Sequence, residues 1–227
     1  MAKLVSVMGD SISTYDGYNP LGYWVYYCGE MCEINGLSDV SDTWWMQVIR
    51  TMRAKLCVNA SYSGSRVSGA MFPAATSDKR IRALRGAEGG SNPDVILIYM
   101  GVNDYLNGIP ARRDPAPPRK GLAHYFEESY DCLLQKLKAE FPSADVVCAT
   151  LMRTTMRDHE YWAFPEQCGG ASFEEYNDAI RKAAKDNGCM LADLANQGMA
   201  YETLDGTHPT AAGHTTIARA WSTALVI

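Results

Sequence analysis

A serine at the end of an apolar segment and an aspartate–histidine pair near the other end of the chain could together carry out nucleophilic catalysis. Ser11 ends a Gly-Asp-Ser tripeptide directly after the apolar run Leu4–Met8, and Asp205 and His208 lie three residues apart in the sequence Asp-Gly-Thr-His-Pro. A histidine held by a carboxylate can take the proton of a serine hydroxyl as its oxygen attacks a carbonyl carbon. Each segment alone also fits a plainer structure, namely a strand-ending turn at Ser11 and a capping aspartate beside a surface histidine.

Two further segments could donate hydrogen bonds to an oxygen that becomes negatively charged. Gly64 follows the strand-like run 55–59, and Asn103 follows the run 95–100 in the sequence Gly-Val-Asn-Asp. A glycine N–H and an asparagine amide can both act as such donors. The alternatives are a turn or bulge glycine at Gly64 and a helix cap or turn residue at Asn103. The presence of all four segments in one chain favours the catalytic interpretation.

Together, the four segments resemble the characteristic blocks of the SGNH/GDSL hydrolase family, and their order and spacing match over nearly the whole chain. The resemblance implies that Ser11 is the nucleophile and that His208 and Asp205 complete a catalytic triad. It also implies that Gly64 and Asn103 stabilise the oxyanion together with the backbone N–H of Ser11. The chain departs from the family pattern in the long aromatic segment after Ser11, which leaves the substrate class open.

Strand-like and helix-like segments alternate along the chain, which predicts an α/β fold with a parallel sheet. The strand-like runs are 4–8, 55–59, 95–100, 145–150 and 189–193. The helix-like stretches are 42–54, 77–86, 121–140, 172–187 and 209–224. We expect a single three-layer α/β/α domain over residues 1–227, with five parallel strands in the flavodoxin-like order 2-1-3-4-5. In this order strand 1 lies between strands 2 and 3, so Ser11, Gly64 and Asn103 emerge side by side.

His208 comes after the fifth strand, about three strand spacings or roughly 14 Å from the first. The stretch from Ala195 to His208 must therefore reach back over the edge of the sheet. Thirteen residues can span up to roughly 40 Å when extended, so the distance is no obstacle. Pro209 suits the first turn of the last helix, which would hold His208 at a helix start.

Composition narrows the classes of partner and cofactor. The chain has 227 residues, of which 47% are apolar, which is enough for one sizeable core. A net charge of −5 without a long basic run argues against nucleic-acid binding and against an anionic membrane partner. We expect no nucleotide cofactor and no metal, because the sequence has neither a Gly-rich phosphate loop nor recognisable metal-ligand spacing.

The chain enters its first strand directly after Met1-Ala2-Lys3, and it has no stretch of about 18 apolar residues. We therefore expect no membrane span and a cytoplasmic protein as the sequence stands, or a secreted one if a signal peptide has been removed. The seven cysteines form no C-x-x-C pair, which predicts mostly buried thiols and favours a reducing compartment. A disulfide between Cys28 and Cys32 is the alternative.

Aromatic side chains crowd a 13-residue stretch after Ser11. They are Tyr15, Tyr18, Tyr23, Trp24, Tyr26 and Tyr27. Rings with polar edges suit sugar faces, whereas a long-chain lipid site would more naturally show Leu, Ile and Phe. The candidate substrate-binding residues are Asp10, Tyr15, Tyr18, Trp24 and Trp162. The alternative is that the rings of the stretch only pack it onto the domain.

These observations predict a serine esterase that removes a short acyl group, such as acetyl, from a small or carbohydrate ester through an acyl-enzyme. A lysophospholipase, a thioesterase or an acyltransferase could use the same triad. Outside the enzymes, the alternative is a non-catalytic flavodoxin-like module that binds carbohydrate. The oligomeric state is left open.

Overall fold

A five-stranded parallel sheet lies at the centre of the fold and is accompanied by two small two-stranded sheets. The computed structural model describes residues 2–86, 90–112 and 125–225. In chain order the strands are β1 (Leu4–Gly9), β2 (Lys55–Asn59), β3 (Val95–Tyr99), β4 (Asp145–Ala149), β5 (Arg153–Met156), β6 (Gln167–Cys168), β7 (Ala171–Ser172), β8 (Met190–Ala192) and β9 (Ala200–Thr203).

The central sheet has the order β2-β1-β3-β4-β8, and all its neighbouring pairs are parallel. This is the predicted order 2-1-3-4-5, with β8 as the fifth strand. The two small sheets pair β5 with β9 in parallel and β6 with β7 antiparallel.

Helices cover both faces of the central sheet, so the predicted three-layer α/β/α domain is confirmed. The helices are α1 (Glu30–Ile34), α2 (Trp44–Thr51), α3 (Asp78–Arg82), α4 (Val102–Leu106), α5 (Phe126–Glu140), α6 (Phe173–Asp186) and α7 (Ala211–Leu225). Helix α2 packs against α7, whereas α5 packs against α3 and α6.

The sequence analysis located the five strands of the central sheet and five of the helices. Of the predicted helix 121–140, the structure has α5 from Phe126, and residues 121–124 lie outside the described residues. Helices α1 and α4 and the two small sheets were not predicted. Each of these elements is only two to five residues long, which is too short for a hydrophobic period to be recognised.

The last helix begins later than the sequence predicted. Helix α7 starts at Ala211, and Pro209 lies before it in an isolated β-bridge with Thr203. The reason is Thr210, whose Oγ1 accepts a hydrogen bond from Gly213 N at 3.2 Å and so caps the helix. The expected position of Pro209 in the first helical turn is therefore wrong, and His208 lies in the loop before the cap.

The core is formed where the sheet meets its helices. All five residues of β3 are buried, and Trp44 of α2 stacks on Trp221 of α7 with ring centroids 5.2 Å apart. Trp44 and Trp45 are both fully buried. All seven cysteines are free thiols, but only Cys148 is buried. The expectation of mostly buried thiols was wrong, partly because Cys57 lies on the edge strand β2 and Cys189 directly precedes the edge strand β8.

A tight turn at the end of β1 presents Ser11. Residues Ser11–Ser13 form a single turn of 3-10 helix, and the Asp10 side chain caps it by accepting a hydrogen bond from Ile12 N at 3.0 Å. Gly9 is required before this turn, because a Cβ there would collide with the Ser13 side chain and approach Ser61 Oγ to 2.9 Å.

Asp10 itself is buried beneath the turn, with a relative exposure of 1%. It lines a small internal cavity together with Ile12, Tyr99 and Tyr201. Its Oδ2 has no hydrogen-bond partner among the described residues. Burial raises the pKa of Asp10 to about 7, and the hydrogen bond from Ile12 only partly opposes that effect.

The raised pKa of Asp10 makes the stability of the fold depend on pH. Between pH 4 and 7 the unfolded chain ionises this carboxyl while the folded protein keeps its proton, so the free energy of unfolding falls as the pH rises. We expect the free energy of unfolding of Asp10→Asn to lack this dependence on pH. The difference between the free energies of unfolding of Asp10→Asn and wild type should therefore shift in favour of the variant by about 2 to 3 kcal/mol from pH 5 to pH 8.

Urea unfolding at the two pH values measures this difference. The matched control is Asp145→Asn, a substitution of an aspartate on β4 whose side chain is 55% exposed. We expect the difference between that variant and wild type to stay nearly constant. Parallel pH profiles for Asp10→Asn and wild type would contradict the prediction.

Candidate active site

The structure brings Ser11, His208 and Asp205 into one chain of hydrogen bonds. His208 Nε2 lies 2.9 Å from Ser11 Oγ, and His208 Nδ1 lies 2.6 Å from Asp205 Oδ2. Ser11 is 4% exposed, whereas the side chains of His208 and Asp205 are 18% and 45% exposed. The imidazole thus lies between a hydroxyl and a carboxylate, which is the arrangement that allows proton transfer away from a serine.

Strand β9 follows the fifth strand of the sheet in the chain and leads towards His208, and β5 pairs with it. Strand β9 pairs along the whole of β5, and the loop after it is fixed to both strands. Gly206 N donates to Thr203 Oγ1 at 3.0 Å, and Thr154 Oγ1 donates to Gly206 O at 2.9 Å. The return over the sheet edge that the sequence required therefore uses a small sheet that it did not predict.

The Asp205 carboxylate organises the turn that presents His208. Its Oδ1 accepts hydrogen bonds from Thr207 N at 2.9 Å and from His208 N at 2.8 Å. Burial by itself would raise the pKa of Asp205. The hydrogen bonds from the His208 ring and from the two N–H groups outweigh burial and hold the pKa well below its usual value. Asp205 is consequently ionised at neutral pH and accepts the hydrogen bond from Nδ1.

Asn103 and Asp104 together hold the segment that follows Gly64. Asn103 Nδ2 donates to Ser65 O at 3.1 Å. The fully buried Asp104 carboxylate accepts hydrogen bonds from Val67 N at 2.7 Å and Ser68 N at 2.9 Å. Burial raises the pKa of Asp104, while these hydrogen bonds act in the opposite direction. Helix α4, which follows β3, thus positions the loop after β2.

Three N–H donors are available around this junction. Neither Ser11 N nor Gly64 N has a hydrogen-bond acceptor in the part of the chain that the structure describes. The Asn103 amide uses one N–H on Ser65 O and has a second. Gly64 has a φ of +73°, a left-handed conformation that favours glycine.

The predicted substrate-binding residues occupy different places. Tyr15 packs edge-on against Tyr18 with centroids 6.0 Å apart, and Tyr18 packs at the same distance against Trp45 of α2. These contacts fasten the aromatic stretch to the domain, which was the alternative interpretation of the rings. Asp10 lies beneath the Ser11 turn, where its carboxyl is buried. As substrate-binding residues, Asp10, Tyr15 and Tyr18 stay predictions that this geometry does not favour.

Trp24 and Trp162 lie next to the residues of the candidate site. The Trp24 ring is 71% exposed and parallel to the Tyr62 ring, with centroids 6.5 Å apart. Its backbone oxygen accepts a hydrogen bond from Ser63 N, directly before Gly64, at 2.9 Å. The Trp162 ring packs on Gly206, so closely that a Cβ there would lie 3.0 Å from Trp162 Cζ2. The two indoles flank the loops that carry Gly64 and His208.

Two residues with close contacts to the site were not singled out in the sequence. Tyr26 stacks on the His208 ring, with centroids 3.5 Å apart and 8° between the planes. Arg80 is fully buried and donates to Gly9 O at 3.0 Å and to Pro73 O at 2.6 Å. Burial lowers the pKa of Arg80 to about 10. Tyr26 belonged to a recognised aromatic stretch, but nothing in the sequence marked Arg80 out from other arginines.

The described residues contain neither a candidate metal cluster nor a membrane-spanning helix. No group of three or more His, Cys, Asp or Glu side chains there is placed to hold a metal ion. None of the helices described combines the length and apolar character required to cross a membrane.

Comparison with solved structures finds the same fold in other proteins. A protein from Bacteroides uniformis assigned as a GDSL-like lipase is 24% identical, with a TM-score of 0.71, and the match covers 100% of this chain and 97% of that one. A protein of the same assignment from Bacteroides ovatus is 21% identical, with a TM-score of 0.71 and coverage of 100% and 99%.

A salicylyl-acyltransferase from a tetracycline biosynthetic pathway is 15% identical, with a TM-score of 0.59. That match covers 100% of this chain and 55% of the acyltransferase. At these identities the likeness concerns the fold alone.

Comparison of sequences identifies the family. No curated protein matches the chain. The family model for GDSL-like lipase/acylhydrolase matches residues 3–174. Because that match spans well over half of the sequence, the protein belongs to the GDSL-like lipase/acylhydrolase family.

Proposed function

We propose that this protein is a serine esterase in which Ser11 is the nucleophile, His208 the general base and Asp205 the partner of His208. The observation that carries the proposal is the unbroken hydrogen-bond chain from Ser11 Oγ through the imidazole to the Asp205 carboxylate. Membership of the GDSL-like lipase/acylhydrolase family supports a hydrolase.

In the proposed mechanism, His208 Nε2 takes the proton of Ser11 Oγ as that oxygen attacks the ester carbonyl. The oxyanion of the tetrahedral intermediate accepts hydrogen bonds from Ser11 N, Gly64 N and the Asn103 amide. The imidazolium then returns its proton to the leaving alkoxide, and the acyl-enzyme remains. Water, deprotonated by His208, attacks the acyl-enzyme, and as the acyl–oxygen bond breaks the imidazolium returns that proton to Ser11 Oγ, which releases the acid and regenerates Ser11 and neutral His208. Throughout this cycle the Asp205 carboxylate fixes the tautomer of His208.

For the substrate, we propose a small or carbohydrate ester with a short acyl group such as acetyl. The exposed Trp24 ring beside the Gly64 loop and the Trp162 ring against Gly206 support this choice, because flat rings with a polar edge suit sugar faces. A lysophospholipase or thioesterase is the second candidate. It is favoured by Leu21, which is fully exposed near Trp24 in sequence, and by Met71, which is 81% exposed. An acyltransferase would use the same triad, and transfer to an added acceptor alcohol would reveal it.

Substitution of Ser11 and Asn103 tests the proposed chemistry. We expect Ser11→Ala to abolish hydrolysis of p-nitrophenyl acetate and Asn103→Ala to lower kcat about a hundredfold, because one oxyanion donor is lost. The matched control is Asn107→Ala, which removes the amide at the end of the same helix, where among the described residues it donates to Asn103 O at 2.6 Å. Steady-state kinetics on the purified proteins gives these values. Wild-type activity in Ser11→Ala would overturn the esterase proposal and favour the non-catalytic binding module.

The length of the acyl group and two neighbouring side chains test the substrate class. We expect p-nitrophenyl acetate to be hydrolysed faster than the octanoate. On a monosaccharide acetate, we expect Trp24→Ala to raise KM about three- to tenfold with little change in kcat, because a stacking surface is lost. Leu21→Ala is the matched control on the same substrate and should leave KM unchanged. Preference for octanoate, with KM raised by Leu21→Ala instead, would favour the lipid or thioester alternative.

A further inference from the structure

Tyr26 contacts two members of the candidate triad at once. Its ring lies 3.5 Å from the His208 ring, centroid to centroid, and the two planes differ by 8°. Its hydroxyl donates a hydrogen bond to Asp205 Oδ2 at 3.3 Å, which is the oxygen that pairs with His208 Nδ1. The ring therefore covers one face of the imidazole, and the hydroxyl and the imidazole bind the same oxygen of Asp205.

The backbone of Tyr26 is tied to the turn that carries Ser11. Tyr26 N donates to Thr14 Oγ1 at 2.9 Å, and Thr14 Oγ1 donates to Ser11 O at 3.0 Å. Tyr26 thus connects the nucleophile turn near the start of the chain with the His208 loop near its end. Its position is set by the same hydrogen bonds that shape the Ser11 turn.

The adjacent Tyr27 strengthens this connection. It is fully buried, and its hydroxyl donates to Pro209 O, directly after His208, at 2.7 Å. The Tyr27 ring meets the Tyr26 ring edge-on with centroids 4.9 Å apart. The Tyr26 ring is consequently packed between Tyr27 and His208, in the same segment as Trp24, which we assign to substrate.

Stacking of this kind affects the two protonation states of His208 differently. A cation over an aromatic face is attracted by the ring quadrupole, whereas a neutral imidazole gains less from the same contact. In the proposed cycle, His208 becomes positively charged as it takes the Ser11 proton. An interaction that is stronger in that state than in the ground state raises kcat rather than lowering KM.

We propose that Tyr26 is a positioning residue for the reaction: its ring holds the plane of His208 and stabilises the imidazolium, and its hydroxyl holds the Asp205 carboxylate. This inference rests on the proposed function, since it requires His208 to act as the base. Besides Asp205 and Ser11, His208 interacts electrostatically with Asp10, directly after β1, and with His214 of α7. Substitution of Tyr26 leaves all four in place.

Two substitutions separate the ring from the hydroxyl. Tyr26→Phe keeps the ring and removes the hydrogen bond, whereas Tyr26→Leu removes both. We expect Tyr26→Leu to lower kcat about 3- to 30-fold with KM little changed. We expect Tyr26→Phe to keep most of the activity, because the larger share of the effect belongs to the ring.

The acid limb of the pH profile of kcat/KM distinguishes this role from a merely structural one. A structural role would not shift the limb in opposite directions when the hydroxyl and the ring are removed. Loss of the hydroxyl leaves Asp205 a stronger partner for the imidazolium, so the limb should move to higher pH in Tyr26→Phe. Loss of the ring removes a contact that favours the cation, so the limb of Tyr26→Leu should lie at lower pH than that of Tyr26→Phe. The rate at which a fluorophosphonate labels Ser11 should follow the same order as kcat.

Tyr161→Leu is the matched control, because it removes a tyrosine ring that is 94% exposed. We expect it to leave kcat, the acid limb and the labelling rate unchanged. If wild type is labelled at Ser11 and Tyr26→Leu has the same kcat and acid limb, the role of Tyr26 is overturned while the esterase proposal stands. If Tyr26→Leu does not fold, Tyr26→Phe decides. An acid limb at the same pH in Tyr26→Phe as in wild type would then overturn the proposed role of Tyr26. If Ser11 is neither labelled nor required for turnover, the esterase proposal fails and the inference fails with it.

Discussion

A hydrogen bond of 2.9 Å joins Ser11 and His208, two side chains that lie 197 residues apart in the chain, and two separate sheets hold its two ends in place. Its direction and length depend on the position of both backbones to within a fraction of an ångström. The central sheet fixes one end, because β1 lies between β2 and β3 and delivers Ser11 to the carboxyl edge. The small sheet of β5 and β9 fixes the other end by holding the loop that carries His208.

Buried polar groups beneath the site fix the loops with hydrogen bonds rather than with apolar packing. Asp104 is fully buried and holds two backbone N–H groups of the segment after Gly64, while Arg80 is fully buried on the carbonyl oxygens of Gly9 and Pro73. Burial of a charged or polar group costs free energy unless its partners are well placed. Asp10 has an unpaired oxygen directly beneath Ser11, and there burial shifts the pKa instead. These buried polar groups lie beneath the candidate site, which is where sequences commonly depart from the rules of a stable core.

The aromatic stretch after Ser11 divides into rings that build the domain and rings that face outwards. Tyr15 and Tyr18 fasten the stretch to α2, and Tyr26 and Tyr27 hold the His208 loop. Trp24 alone among these residues combines a large exposed ring with a backbone contact next to Gly64. The composition of the stretch drew attention to a surface for ligands, but most of its rings pack against the domain or against the His208 loop.

The amino-acid sequence by itself determined the central sheet, the principal helices and the identity of the four polar segments. Apolar runs, capping residues and turn residues act within about ten positions of each other, so their effect can be recognised without knowledge of distant contacts. The flavodoxin-like strand order was expected by analogy and is confirmed, and it brings the strands before Ser11, Gly64 and Asn103 side by side. Only the tertiary structure decided which tyrosine stacks on His208, that Arg80 binds the carbonyl before Asp10, and that β5 and β9 pair. These arrangements depend on side chains and backbone atoms far apart in the chain, and no local pattern specifies which of several similar residues will meet.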